Sequence, residues 1–219
     1  MKRNKTLLFT SVAFIFAFIL WTILICYVDV SPIGPKDSHV GFATLNGMIH
    51  SLTGVNMTLY VITDWLGLVP IFIAFCFTVL GLIQLIKRKS ILKVDRSTIS
   101  LGVFYIAVII VYILFEYVVI NYRPVLINGY LEASYPSSTT MLTLTVMITA
   151  IIQLRSRIKT KSLKTVITLI IALFTAFMVI GRLLSGVHWI TDIIGGILIS
   201  FGLIFMYYYA HIAWKTKCI

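Results

Sequence analysis

At 219 residues, 60% hydrophobic and only 11% charged, with a formal net charge of +11, the chain falls outside the composition of soluble domains and has the length of one ordinary domain. Its apolar residues come in runs, and a run of about 20 crosses a hydrocarbon core roughly 30 Å thick, so the composition excludes a soluble enzyme and predicts an integral membrane protein.

Six spans are predicted in chain order, at about 6–28, 57–86, 98–121, 138–154, 165–184 and 190–213. The first follows Lys2, Arg3 and Lys5 like a secretion signal, yet it is too long and has no small-residue cleavage site, so it reads as an uncleaved span. Residues 29–56 open with Pro and Gly turn signals and continue as a weakly amphipathic segment expected to lie along the membrane surface. This segment carries His39 and His50, which, like His211, have no partner pattern and read as structural. The second span holds Asp64, either a polar contact between spans or part of an entrance. The fourth span is the shortest and begins after Pro136. Cys26, Cys76 and Cys218 are scattered without metal or redox spacing.

Charge placement orients the bundle. Basic groups precede the first span and follow the second, fourth and sixth; with six spans all lie on one face, which the positive-inside bias makes cytoplasmic. Fifteen of the eighteen basic residues are explained this way, which removes the case for a nucleic-acid partner; only Lys36, Arg123 and Arg182 fall on the opposite side. Backbone amides in lipid must be satisfied within the segment, and period-2 alternation is absent, so the spans are helices. The expectation is one all-α domain over 1–219, a six-helix multi-pass bundle in the cell membrane with both termini cytoplasmic and its irregular, polar connections extracytoplasmic.

The polar residues that topology leaves over converge at that outer level. Arg123 lies in "NYRP", Ser137 and Ser138 begin span four, Arg182 ends span five, and His188 and Asp192 begin span six. Two guanidiniums offer forked donors to phosphate oxygens, and the open N–H groups of span four add a helix-dipole anion site. His188 is expected to present one ring nitrogen to phosphorus while Asp192, at i+4, accepts a hydrogen bond from the other. No further carboxylate or histidine stands close enough in sequence to suggest a metal, and no cofactor is called for. The chemistry predicted is phosphoryl transfer through a phosphohistidine, then attack by water.

On these residues the sequence resembles the type 2 phosphatidic acid phosphatases, a membrane branch of a superfamily that includes vanadium haloperoxidases. "GRLLSGVHWITD" matches the family's third motif, with Gly181 in the serine place and Arg182, His188 and Asp192 at the right intervals; "YRP" supplies Arg123 and Pro124 of the first, and "YPSSTT" supplies Pro136 and Ser137 of the second. The resemblance implies a haloperoxidase-like helical core, a membrane lipid substrate, catalysis by His188 and Asp192, and phosphate binding by Arg123, Arg182, Ser137 and Ser138. Two motif positions depart from the pattern: the family's lysine falls at Glu116, and the histidine that protonates the leaving oxygen falls at Thr139. A hydroxyl is too weak an acid for that task, and general acid catalysis contributes about 10²–10⁴ in rate. A diphosphate, whose leaving group is itself a phosphate, suffers less from the loss, so a lipid phosphate or, preferentially, an isoprenoid diphosphate is the expected substrate. Glu116 either acts as a replacement donor or merely pairs with Arg123 or Arg182. A second reading stays open, a degenerate relative that holds or transports a lipid phosphate without cleaving it; a purely structural subunit has no need of the third motif.

Overall fold

The computed structural model describes the backbone of residues 2–216 and the side chains of residues 4–212; the expectations for the side chains of Lys2, Arg3 and Lys215, and for Lys217 and Cys218, lie outside the described residues. The α-helices are α1 (Lys2–Tyr27), α2 (Ala43–Thr53), α3 (Met57–Leu66), α4 (Leu68–Arg88), α5 (Arg96–Tyr117), α6 (Ser138–Arg157), α7 (Lys161–Leu184) and α8 (Ile190–Thr216). Six segments are long and apolar enough to cross a membrane, with α3 and α4 together forming the second, Met57–Arg88.

The predicted spans are present, with shifted ends. Span three stops at Tyr117 because Val118 leaves the helical region (φ −94°, ψ 84°) at the head of the β-branched run Val118-Val119-Ile120. Span four runs past its apolar stretch to Arg157, since Gln153, Arg155 and Arg157 are good helix formers whatever their polarity. The second span is two helices. Its joint is Gly67, whose N–H is shared between the Thr63 and Asp64 carbonyls at 3.0 Å each, and Pro70 has no N–H to offer the Leu66 carbonyl one turn back.

α6 packs against α4, α5, α7 and α8 and has the lowest mean hydropathy of the six spans, 1.2. Protein rather than lipid surrounds it, so it tolerates buried Thr140, Thr143, Thr145, Thr149 and Gln153. Thr145 and Thr149 return their hydroxyls to carbonyls one turn back at 2.7 Å. α1 lies against α8, where Ser11 Oγ donates to the Gly202 carbonyl at 2.7 Å.

One end of the bundle gathers three irregular connections. Residues 118–137 form a two-armed turn around Asn128-Gly129, both at positive φ, with Ile127 and Tyr130 exchanging main-chain bonds at 3.1 and 3.0 Å. Its arms are tied by Arg123 N–H to the Glu132 carbonyl at 3.0 Å, which sets the two side chains opposite each other. Residues 29–56, expected along the membrane surface, dock one face of α2 onto the bundle. Buried Asn46 donates to the Gly41 carbonyl at 2.8 Å and Thr191 Oγ1 at 3.0 Å, while Met48 and Leu52 stay exposed. His50 does have a partner, the Gly186 carbonyl at 3.1 Å from Nε2, and its ring lies 5.4 Å from that of Trp189.

The α7–α8 link, 185–189, is therefore held from outside. Asn56 N–H donates to the Ser185 carbonyl at 3.0 Å, and Gly186, at φ +66°, passes so close to Gly54 that a Cβ there would stand 1.8 Å from the Gly54 carbonyl oxygen. Replacing Gly186 by Ala forces both a disfavoured φ and a backbone clash, so the expected result is destabilisation of about 1–3 kcal/mol, read as a lowered thermal midpoint in detergent.

Candidate active site

The α7–α8 link brings His188 down into the bundle end, where it meets two guanidiniums from different elements. Arg123, from the first arm of the two-armed turn, places Nη1 3.2 Å from His188 Nε2, and Arg182, from the last turn of α7, places Nη2 3.5 Å from the same atom. Guanidinium nitrogens only donate, so Nε2 is the acceptor and the neutral ring carries its proton on Nδ1. Arg182 and His188 are buried, at 1% and 3% exposure. Burial first, and then the positive charges of Arg123 and Arg182, hold the His188 imidazolium well below the ordinary histidine range.

The expected His188–Asp192 hydrogen bond is corrected. Nδ1 lies 3.7 Å from Asp192 Oδ2, an ion-pair separation too long for a hydrogen bond. The helical i+4 geometry does not apply, because α8 starts at Ile190 and His188 precedes it. Asp192 instead stands third in α8 and reaches back to the Trp189 N–H at 3.0 Å, one half of a capping box. Its other oxygen accepts from Asn121 Nδ2 at 3.4 Å.

Each arginine has its own counter-charge. Arg123 Nε lies 3.0 Å from Glu132 Oε2, and Arg182 Nη1 lies 3.6 Å from Asp64 Oδ1 and 3.5 Å from Thr63 Oγ1. The expected pairing of Glu116 with these arginines is not formed; exposed Glu116 lines a small cleft shared with Ser134, Tyr135, Ser138 and His188. Tyr60 lies across both cations, its ring centroid 5.0 Å from the Arg182 guanidinium carbon and 6.0 Å from that of Arg123.

Ser137 is the N-cap of α6 by position, but its hydroxyl makes no capping bond and is buried without a partner among the described residues. Its N–H donates to the Asp192 carbonyl at 3.0 Å, so the starts of α6 and α8 are joined beside the imidazole. Ser138 opens α6 on the His188 cleft, and Thr139 turns toward the α3–α4 joint, its methyl 3.6 Å from where a Cβ on Gly67 would stand. An unprotonated nitrogen facing two cationic donors is an arrangement suited to an anion.

The model of the PAP2 superfamily matches residues 100–215. The chain belongs to the PAP2 superfamily. The PAP2 match runs through α5–α8 and so includes Arg123, Arg182, His188 and Asp192, whereas Tyr60, Thr63 and Asp64 lie outside it. Across 94% of this chain the fold is similar to the crystal structure of a transmembrane PAP2-type phosphatidylglycerolphosphate phosphatase from Bacillus subtilis, covering 97% of that chain at a TM-score of 0.64 and 15% identity. A sequence comparison with curated proteins gives no match.

Sequence reasoning missed Tyr60 and Glu132 and left Asp64 undecided. The available signal was a phenol and a carboxylate at i and i+4 inside a span, where an ionisable group is costly unless it has a partner. The electrostatics of the pocket are measurable directly. Ring ¹⁵N shifts of His188 are expected to report a neutral, Nδ1-protonated imidazole at pH 6.5, where an unperturbed histidine is half protonated; a half-titrated signal there contradicts the proposed charge balance.

Proposed function

We propose that this PAP2 chain is a membrane lipid phosphatase that cleaves a lipid phosphate, and preferentially an isoprenoid or other lipid diphosphate such as undecaprenyl diphosphate, through a phosphohistidine on the extracytoplasmic side. The observation that carries the reading is the His188 Nε2 lone pair facing the Arg123 and Arg182 guanidiniums at 3.2 and 3.5 Å. A phosphate entering between them exchanges those contacts for charge-assisted bonds to its oxygens, which leaves Nε2 free to attack phosphorus. As the P–N bond forms and the leaving oxygen departs, the ring becomes cationic, with Asp192 at 3.7 Å from Nδ1 to stabilise it. Water then attacks phosphorus, the P–N bond breaks, and phosphate is released.

A lipid substrate is supported by the activity of the structurally similar Bacillus phosphatidylglycerolphosphate phosphatase and by apolar space beside the site. A cavity of about 330 Å³ between α4, α5 and α6 is lined by residues such as Ile71, Ala74, Val108, Leu142 and Val146. Tyr112 borders both this cavity and the cleft that reaches His188, so a tail in one and a head group in the other would be continuous. The diphosphate preference rests on Thr139, which has no proton to give at neutral pH. The extracytoplasmic orientation rests on the basic flanks.

Thr139 and Glu116 also favour a second reading, in which a lipid phosphate is held and not cleaved. Phosphate release by purified protein separates the two. Wild type is expected to release phosphate from a polyprenyl diphosphate at least about 10²-fold faster than from phosphatidic acid, and His188→Ala to fall to background. Equal rates on both substrates reject the leaving-group preference, and equal background in both proteins leaves only the binder.

A further inference from the structure

The pocket contains an uncharged group that both of its cations share. The ring centroid of Tyr60 lies 5.0 Å from the Arg182 guanidinium carbon and 6.0 Å from that of Arg123, both within the range of cation–π attraction. The two guanidiniums also converge on a single acceptor, His188 Nε2, and like charges brought together in this way repel each other. Their carboxylate partners answer that repulsion separately. Glu132 pairs with Arg123 and Asp64 with Arg182, and both carboxylates are about half exposed, so water screens the two pairs.

The partners differ in what they leave for an anion. The carboxylates take up Nε of Arg123 and Nη1 of Arg182, and each adds a negative charge with which a phosphate must compete. A π contact draws on the ring quadrupole, leaves the N–H groups at the guanidinium edge free to donate, and does not repel an anion. Tyr60 is therefore the partner that can stay in place as the site fills. Donor capacity is left over as well, since Arg182 Nε is buried without a hydrogen-bond partner among the described residues.

The main chain at Tyr60 is fixed from the same link that carries His188. Tyr60 N–H donates to the Asn56 carbonyl at 3.0 Å, and Asn56 N–H donates to the Ser185 carbonyl at 3.0 Å. The Thr63 hydroxyl donates to the Tyr60 carbonyl at 3.0 Å and its oxygen lies 3.5 Å from Arg182 Nη1. None of these contacts uses the phenol hydroxyl. Resting on the reading of this pocket as a phosphate site, we propose that Tyr60 is a positioning residue: its π system holds Arg123 and Arg182 together before the anion arrives. A phosphate then meets a formed cradle and does not have to gather two mutually repelling cations itself.

The test measures binding, not turnover, with inorganic phosphate and orthovanadate titrated calorimetrically into purified full-length protein in detergent. Tyr60→Leu is expected to bind both anions about tenfold more weakly, and Tyr60→Phe, which restores a ring, to recover most of that loss. Replacing Tyr60 by phenylalanine carrying one, two or three ring fluorines drains the negative face of the ring with little change of shape, so affinity is expected to fall stepwise along the series. A residue that only packs would show no such gradient. Thermal midpoints in the same detergent identify a variant that has lost its fold, and the near-isosteric fluorinated series decides the matter if the leucine variant is one. Affinities indifferent to fluorination overturn the proposal and leave Tyr60 as packing; a phenylalanine variant as weak as the leucine variant overturns it too, by assigning the effect to the hydroxyl. A wild type that binds neither anion removes the phosphate-site reading itself, whereas one that binds both while the fluorinated series stays flat removes this proposal alone.

Discussion

A fully buried guanidinium is the constraint around which this bundle end is organised. Arg182 is nearly inaccessible, and a cation taken out of water must be repaid by nearby acceptors or counter-charge. Thr63, Asp64 and the face of Tyr60 supply them, all from one side of α3. Those contacts tie α3 to α7, while α4, beyond the joint at Gly67, packs against α5 and α6. The second terminal nitrogen of the guanidinium meets the imidazole, whose proton is thereby confined to Nδ1.

The helical layout was legible in the sequence because hydropathy in a membrane chain is a strong local signal. The group Arg182, His188 and Asp192 was legible for the same reason, since charged residues stand out against an apolar background. What was not legible is where the chain leaves the helix. With α7 ending at Leu184 and α8 starting at Ile190, the four-residue interval from His188 to Asp192 straddles a helix start, and Asp192 spends its carboxylate on the Trp189 amide. The contribution of α3 was hidden by distance, since Thr63 and Arg182 meet across 119 residues of chain. Glu132 was not considered as Arg123's partner, and Glu116 stood as one candidate, because the Asn128-Gly129 turn, a hairpin signal in itself, is flanked by arms without strand-like alternation. That turn brings Glu132, not Glu116, to the arginine.

Residues 29–56 illustrate a different gap between sequence and structure. Weak amphipathicity suggested contact with lipid, but the residues that decide the placement of α2 are polar: Asn46, whose amide bridges Gly41 and Thr191, and His50, which holds the Gly186 carbonyl. Neither contributes to a hydrophobic pattern. Both act on the link that carries His188, so the imidazole is steadied from outside the spans as well as from within them.

Asp192 joins several of these connections. Its carboxylate caps α8 through Trp189 and accepts from Asn121, and its main-chain oxygen holds the first amide of the segment leading into α6. A residue with so many mechanical duties is a poor chemical reporter. Kinetic defects in its variants would mix lost charge beside the imidazole with slackened joints between helices, and a deficit there, however large, would not by itself measure how much the carboxylate assists the reaction.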